Sequence, residues 1–166
     1  VFTVCDQLIP VMKSGSRIAI HSTILPESCA QLEAQCTARG IGLIDAPVSG
    51  GSPGAEAGTL TVMCGGSAEV FEASRPAFET FGKLIVLLGP IGAGQNAKLI
   101  NNAMLSANMG IAHAALSAGE ALGVDRAALA ELIKVSSGRS FGFEIYARLP
   151  SPAAFSVGAP LLIKDI

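Results

Sequence analysis

A lysine near the start of a long apolar segment is a candidate for chemistry in this sequence. Lys98 follows a glycine-rich turn, and no Asp, Glu, Lys or Arg occurs from Leu99 to Gly119. An isolated ammonium group is costly to bury, so a lysine here needs an anion, a polar partner or water. Asn102 lies four residues later, on the same face of a helix. A lysine that extends to solvent from a helix end is the structural explanation, and acid–base chemistry is the functional one.

Two short polar stretches could contact a ligand at the ends of predicted strands. Val48-Ser-Gly-Gly51 follows one strand, and its backbone N–H groups could hold a carboxylate or a phosphate. Ser22-Thr23 end another strand, and open α/β sheets bind ligands at this type of edge. Each stretch is also compatible with an ordinary turn, so neither identifies a site by itself.

The segment Gly92-Ala-Gly-Gln-Asn-Ala97 fits the G-x-G-x-x-A pattern of dinucleotide-binding turns. That motif also requires a second strand with an acidic residue about 20 residues later. Here the chain continues as a helix, and the next acidic residue is Glu120. We therefore predict a structural turn from which the helix that carries Lys98 begins.

The other reactive residue types predict no chemistry. His21 and His113 have no serine or cysteine arrangement near them, and Asp45, Glu56 and Glu120 are too scattered to form an acid–base pair. The four cysteines form no Cys-x-x-Cys pair, which favours reduced thiols in a cytosolic protein over a zinc site.

Strands and helices alternate in the first part of the chain, and only helices are predicted in the second. The predicted strands span residues 17–21, 41–45, 59–64 and 83–88, with a loop at 46–58. The predicted helices span residues 1–12, 26–39, 67–81, 93–122, 125–136 and 141–149, and a further one begins at 161. This order indicates part of an α/β domain, a sheet with helices on its faces, followed by part of an all-helical domain.

The composition excludes several classes of partner. Half of the 166 residues are apolar and 14% are charged, which is typical of a compact chain with a large core. The formal net charge of −2 gives no electrostatic reason to expect a nucleic acid or an anionic membrane. No apolar run reaches membrane-spanning length without polar interruption.

Taken together, these motifs resemble the β-hydroxyacid dehydrogenase family, which includes 3-hydroxyisobutyrate dehydrogenase and, more distantly, 6-phosphogluconate dehydrogenase. Asp45–Met63 is similar to the substrate-binding signature of the family, and Gly92–Asn102 is similar to its catalytic motif. Ser22-Thr23 and Leu162–Asp165 resemble two motifs near the cofactor. The resemblance covers the whole chain and departs from the family at His21, where Asp is common.

The resemblance implies a fold and a domain division. Residues 1–92 would be the C-terminal part of an α/β Rossmann-type NAD(P)-binding domain. Residues 93–166 would contain the long interdomain helix and the start of an all-α domain. The glycine fingerprint of the family would precede Val1 and further helices would follow Ile166, so the chain is expected to be incomplete.

The reaction that the resemblance implies is the NAD(P)-dependent interconversion of a small β-hydroxyacid and its semialdehyde or oxo acid. Lys98 would be the general acid–base group, and Asn102 would hold the lysine and the reacting oxygen in line. The protein would be a cytoplasmic homo-oligomer, a dimer or a tetramer, that needs no metal.

The resemblance also assigns the binding residues. Ser49, Gly50 and Gly51 would bind the carboxylate of the substrate. Thr23 and Lys164 would contact NAD or NADP. The residue that selects between these two cofactors would lie before Val1.

Two alternatives stay open. Imine reductase-like enzymes share the fold but typically lack the lysine at the position of Lys98, which argues against them. A non-catalytic module that binds an anion, or that dimerises through the long apolar helix, is the alternative outside the enzymes.

Overall fold

The computed structural model describes residues 1–149 and shows two compact units. The first unit is Val1–Leu99, and the second begins at Ile100. Lys164 and the helix predicted from residue 161 lie outside the described residues.

The first unit is built on a five-stranded mixed sheet. β1 and β2 are parallel, with Ile20 opposite Asp45, and β4 and β5 are parallel to each other. β4 runs antiparallel to β2 and to β3. The strands are β1 Arg17–Ile20, β2 Gly42–Asp45, β3 Val48–Ser49, β4 Leu60–Gly65 and β5 Gly82–Gly89. The four predicted strands are therefore present within one or two residues of their predicted bounds.

The predicted loop at residues 46–58 is wrong, because the segment contains β3 and the short helix α3, Gly51–Glu56. Val48 and Ser49 pair with Val62 and Thr61 of β4. This pairing depends on a strand that lies later in the chain, so the Gly, Pro and Ser content of the segment did not reveal it. Pro53 is compatible with α3 because a proline in the first turn lacks only an N–H that has no partner within the helix.

The helices agree with the predicted periodicity, and their ends have local causes. The remaining helices are α1 Phe2–Leu8, α2 Pro26–Thr37, α4 Ala68–Phe78, α5 Ala93–Ala121, α6 Arg126–Lys134 and α7 Phe141–Ala147. α1 ends four residues before the predicted bound at Met12, because Pro10 has no backbone N–H to continue the hydrogen bonds of the helix. Side-chain oxygens of Ser67, Asp125 and Ser140 cap α4, α6 and α7.

Each unit has its own apolar core. In the first unit, Leu32 of α2, Ile44 of β2 and Val62 of β4 are completely buried. In the second unit, Leu116 of α5 packs in a cluster with residues of α6 and α7. Within residues 1–149, none of the helices combines the length and the apolar content needed to cross a membrane.

Candidate active site

The candidate catalytic residues lie on α5. Lys98 is half-buried in the second turn of the helix. Asn102, one turn later, is buried, with 4% of its surface exposed. The position of Lys98 therefore depends on what fixes the beginning of α5.

The carboxylate of Asp45 fixes that beginning. Asp45 is the last residue of β2 and is completely buried. The backbone N–H of Gly92 donates to its Oδ1 at 2.6 Å, and the backbone N–H of Gln95 donates to its Oδ2 at 2.8 Å. The first N–H groups of a helix have no partner within the helix, and the helix dipole favours a negative group there. The glycine turn thus encloses a carboxylate of its own chain, in agreement with the prediction that it is structural.

Two glycines make this close approach possible. A Cβ on Gly65 would lie 2.5 Å from Oδ1 of Asp45 and 2.8 Å from the backbone nitrogen of Ala93. A Cβ on Gly94 would collide first with the carbonyl oxygen of Met63 and would lie 2.7 Å from Oδ2 of Asp45. Any larger residue at either position would force the carboxylate or the neighbouring backbone to move.

Burial controls the protonation of the groups around Asp45. Desolvation raises the pKa of Asp45, although the hydrogen bonds from the N–H groups of Gly92 and Gln95 lower it in part. Desolvation, with a smaller contribution from the charge of Asp45, also raises the pKa of Cys29 to about 12 and that of Cys64 to about 11. Both thiols are therefore protonated and unreactive at neutral pH.

The side chain of Gln95 connects the start of α5 to the turn after β1. Gln95 is completely buried. Its Nε2 donates to the carbonyl oxygen of Ser22 at 2.8 Å, and its Oε1 accepts from the backbone N–H of Ile24 at 3.1 Å. These two peptide groups flank Thr23, the predicted cofactor contact.

The predicted carboxylate-binding residues form a second glycine turn. Ser49 is half-buried at the end of β3, and Gly50 and Gly51 are exposed. The φ angles of Gly50 and Gly51 are 132° and 60°, and a Cβ on Gly50 would lie 2.9 Å from Leu60. This backbone requires glycine and exposes peptide groups next to the Ser49 hydroxyl.

The two histidines have structural contacts. Nδ1 of His21 lies 2.7 Å from the carbonyl oxygen of Ala46, and the ring packs edge-on against Phe78 and Phe81. Nδ1 of His113 lies 2.7 Å from the Tyr146 hydroxyl.

Two family models match consecutive parts of the chain. Residues 1–89 match the NAD-binding domain of 6-phosphogluconate dehydrogenase, and residues 92–166 match the NAD-binding domain of NADP-dependent 3-hydroxyisobutyrate dehydrogenase. The chain belongs to the β-hydroxyacid dehydrogenase family. Since both models describe NAD-binding domains, the expectation of NAD or NADP as cofactor is confirmed for the domain family.

Individual members of the β-hydroxyacid dehydrogenase family match over most of the chain. It is 41% identical to an NAD-dependent L-serine dehydrogenase of Pseudomonas aeruginosa over 97% of the chain and 57% of that protein. It is 44% identical to the 3-hydroxyisobutyrate dehydrogenase of the same organism over 75% of the chain and 42% of that protein. The chain thus spans about half the length of these curated relatives.

Solved structures of the family confirm the predicted fold class. The structure of Mycobacterium tuberculosis 3-hydroxyisobutyrate dehydrogenase with L-serine matches 99% of the chain and 60% of its own chain, with a TM-score of 0.86 and 27% identity. An imine reductase from a Pseudomonas species matches with a TM-score of 0.64 and 14% identity, which shows a shared fold alone. The first unit therefore has the Rossmann-like sheet of the family, and α5 and the following helices belong to its helical part.

The structure ties some of the predicted site residues together through residues that sequence reasoning missed. Gln95 joins the turn of Thr23 to the start of the helix that carries Lys98, and Asp45 joins both to β2. A charged residue at the end of an apolar strand was the available signal for Asp45, because a buried carboxylate needs donors. Gln95 had no such signal, since an amide in a turn is usually exposed.

Proposed function

We propose that the protein containing this chain is an NAD(P)-dependent oxidoreductase that interconverts a small β-hydroxyacid and its semialdehyde or oxo acid. The observation that carries the proposal is the position of Lys98. The residue lies shortly after the start of α5, which Asp45 fixes, in a chain of this family. The division at residue 92 into an NAD(P)-binding part and a helical part belongs to the same proposal.

Lys98 would move the proton of the reacting hydroxyl. In oxidation, its neutral amine would take the proton from the hydroxyl oxygen as the C–H bond of the same carbon breaks and the hydride goes to the oxidised cofactor. In reduction, the ammonium returns a proton to the carbonyl oxygen. The nicotinamide cofactor supplies the hydride chemistry when bound, and the protein supplies orientation and the proton.

Asn102 and the second glycine turn would hold the substrate. Asn102 would keep the Lys98 amine and the reacting oxygen in line, one turn along the same helix. Ser49, Gly50 and Gly51 would bind the substrate carboxylate through the Ser49 hydroxyl and backbone N–H groups, which are free of bulky side chains. The exposure of Gly50 and Gly51 supports this assignment.

Thr23 and Lys164 would contact the cofactor, NAD or NADP. The half-buried position of Thr23 in a turn held by Gln95 supports the first assignment. Lys164 lies outside the described residues, so its assignment rests on the sequence resemblance. The relatives favour L-serine and 3-hydroxyisobutyrate as substrates, because their names carry these compounds.

The test is a turnover assay of the full-length protein with NAD and NADP. The panel contains L-serine, 3-hydroxyisobutyrate and other small β-hydroxyacids, and reduced cofactor is followed by absorbance. We expect turnover with at least one β-hydroxyacid. A second panel contains cyclic imines and is assayed with NADH and NADPH. Reduction of imines without hydroxyacid turnover would indicate an imine reductase, and no turnover on either panel would favour the non-catalytic module.

A homo-oligomer in the cytoplasm completes the proposal. All four cysteines are buried free thiols, which supports a reducing compartment. Light scattering coupled to gel filtration of the full-length protein would give the oligomeric state, with a dimer or a tetramer expected.

A further inference from the structure

The side chain of Gln95 is buried, and its NH₂ group and its carbonyl oxygen are both hydrogen-bonded to one turn. It is completely buried, and the amide donates to Ser22 and accepts from Ile24. A buried amide that donates one hydrogen bond to a turn and accepts another from it restricts both the location and the orientation of that turn. The residue between the two bonded peptides is Thr23.

The backbone of Gln95 is held in place by a second contact. Its backbone N–H donates to the buried carboxylate of Asp45, so the side chain projects from a helix turn that cannot shift easily. Asp45 also lies opposite Ile20, the last residue of β1, in the parallel pair β1–β2. The turn that contains Thr23 is therefore held between the end of its own strand and the start of α5.

We propose that Gln95 is a positioning residue for the dinucleotide, which acts by holding the two peptide groups that flank Thr23. The inference rests on the proposed function, in which Thr23 contacts NAD or NADP. A glutamate could not donate to Ser22, and an apolar residue could make neither bond. Loss of the amide would leave the backbone N–H of Ile24 and the carbonyl of Ser22 without their partner and loosen the turn.

The experiment compares two variants of the full-length protein with a matched control. Gln95→Met keeps most of the side-chain volume and removes both hydrogen bonds. Gln95→Glu also keeps the volume but places an oxygen against the carbonyl of Ser22. The control is Gln35→Met, the same chemical change at an exposed position of α2. KM values for dinucleotide and hydroxyacid, kcat, and direct binding of NADH and NADPH by fluorescence are measured for each.

We expect Gln95→Met to raise the dinucleotide KM and dissociation constant about tenfold, because binding must then order a turn that the wild type already holds in place. The hydroxyacid KM at saturating dinucleotide should stay within twofold, and kcat within threefold. Gln95→Glu should weaken the dinucleotide in the same direction. Hydrogen exchange should increase at residues 22–24, and Gln35→Met should change none of these values.

Three results would overturn the inference. The first is a dinucleotide affinity of Gln95→Met within twofold of the wild type. The second is an equal rise in both KM values with faster exchange across the whole sheet, which would show a general structural role. The third is a wild-type protein that binds neither dinucleotide. A wild type that binds dinucleotide but turns over no hydroxyacid would contradict the proposed function alone, because the fluorescence titration still tests Gln95.

Discussion

The two glycine turns of the first unit have similar composition and opposite environments. The turn from Gly92 to Gly94 has both glycines buried, and the carboxylate of Asp45 accepts from the N–H groups of Gly92 and of Gln95, the residue after the turn. The turn from Ser49 to Gly51 exposes both of its glycines. The first resembles a dinucleotide fingerprint more closely, yet it binds a side chain of its own chain. A glycine pattern therefore shows where backbone N–H groups are accessible, and the surrounding residues decide whether a ligand can use them.

The largest effect on activity should come from replacing Lys98, which follows the buried turn. We expect Lys98→Ala to lower kcat of the full-length enzyme by about 10²–10⁴-fold, because the reacting hydroxyl loses its acid–base group. Folding and dinucleotide binding should change little. The control is Lys83→Ala, which removes an exposed lysine of β5. A Lys98→Ala enzyme with kcat within about threefold of the wild type would refute the assignment.

A substitution in the exposed turn should weaken the binding of the hydroxyacid. We expect Ser49→Ala to raise the KM of the hydroxyacid about tenfold or more, since a hydrogen bond to a charged group contributes roughly 1.5–3 kcal/mol. The KM of the dinucleotide should stay nearly constant. Steady-state kinetics with each substrate varied in turn separates the two effects. If only the dinucleotide KM rises, Ser49 belongs to the cofactor site.

Loss of the carboxylate in the buried turn should lower the stability of the protein. Asp45→Asn places an NH₂ group against a backbone N–H, so one buried donor at the start of α5 loses its acceptor. We expect the free energy of unfolding to fall by about 1–3 kcal/mol, measured by urea titration with circular dichroism. Asp6→Asn, an exposed position of α1, is the matched control. Equal stability of the two variants would show that the carboxylate does not hold the turn.

The smallest effect concerns the thiols near Asp45 and appears only at alkaline pH. The ordinary pKa of 9.0 rises to about 12 for Cys29 and to about 11 for Cys64, so above pH 9 the unfolded chain releases protons that the folded chain keeps. The stabilising contribution is complete below pH 9.0 and is lost as pH rises toward these folded values.

Between pH 9 and 10 the loss should be on the order of 1 kcal/mol per thiol. Urea titrations across this range should show a shallower pH dependence for Cys29→Ala than for the wild type. Identical slopes for the two proteins would contradict the burial of an ionisable thiol at this position.

The sequence predicted the parts of the fold that depend on local signals. The strands near Ile18 and Val62 are apolar runs that end at polar or glycine residues, and α5 is rich in Ala, Leu, Ile and Met and contains no proline. The β3–α3 segment was predicted incorrectly because the pairing of Val48 with β4 is non-local. The early end of α1 was missed although Pro10, which has no N–H, was a local signal for it.

The site was predicted less completely than the fold. The partners of Asp45 and Gln95 lie 47 to 73 residues away in the chain, so no local pattern could reveal the contacts. The roles of Lys98, Asn102 and Ser49 stay predictions, because a role in binding or catalysis depends on contacts with molecules outside the chain.

The separation between Asp45 and its donors has a consequence for biosynthesis. Gly92 and Gln95 follow Asp45 by 47 and 50 residues. At roughly 5–20 residues per second, the ribosome synthesises these donors several seconds after the carboxylate. We infer that the nascent chain keeps the end of β2 hydrated during this interval. The start of α5 can then close on the carboxylate only after its own first turn has left the ribosome, which makes the segment next to Lys98 one of the last parts of the first unit to assemble.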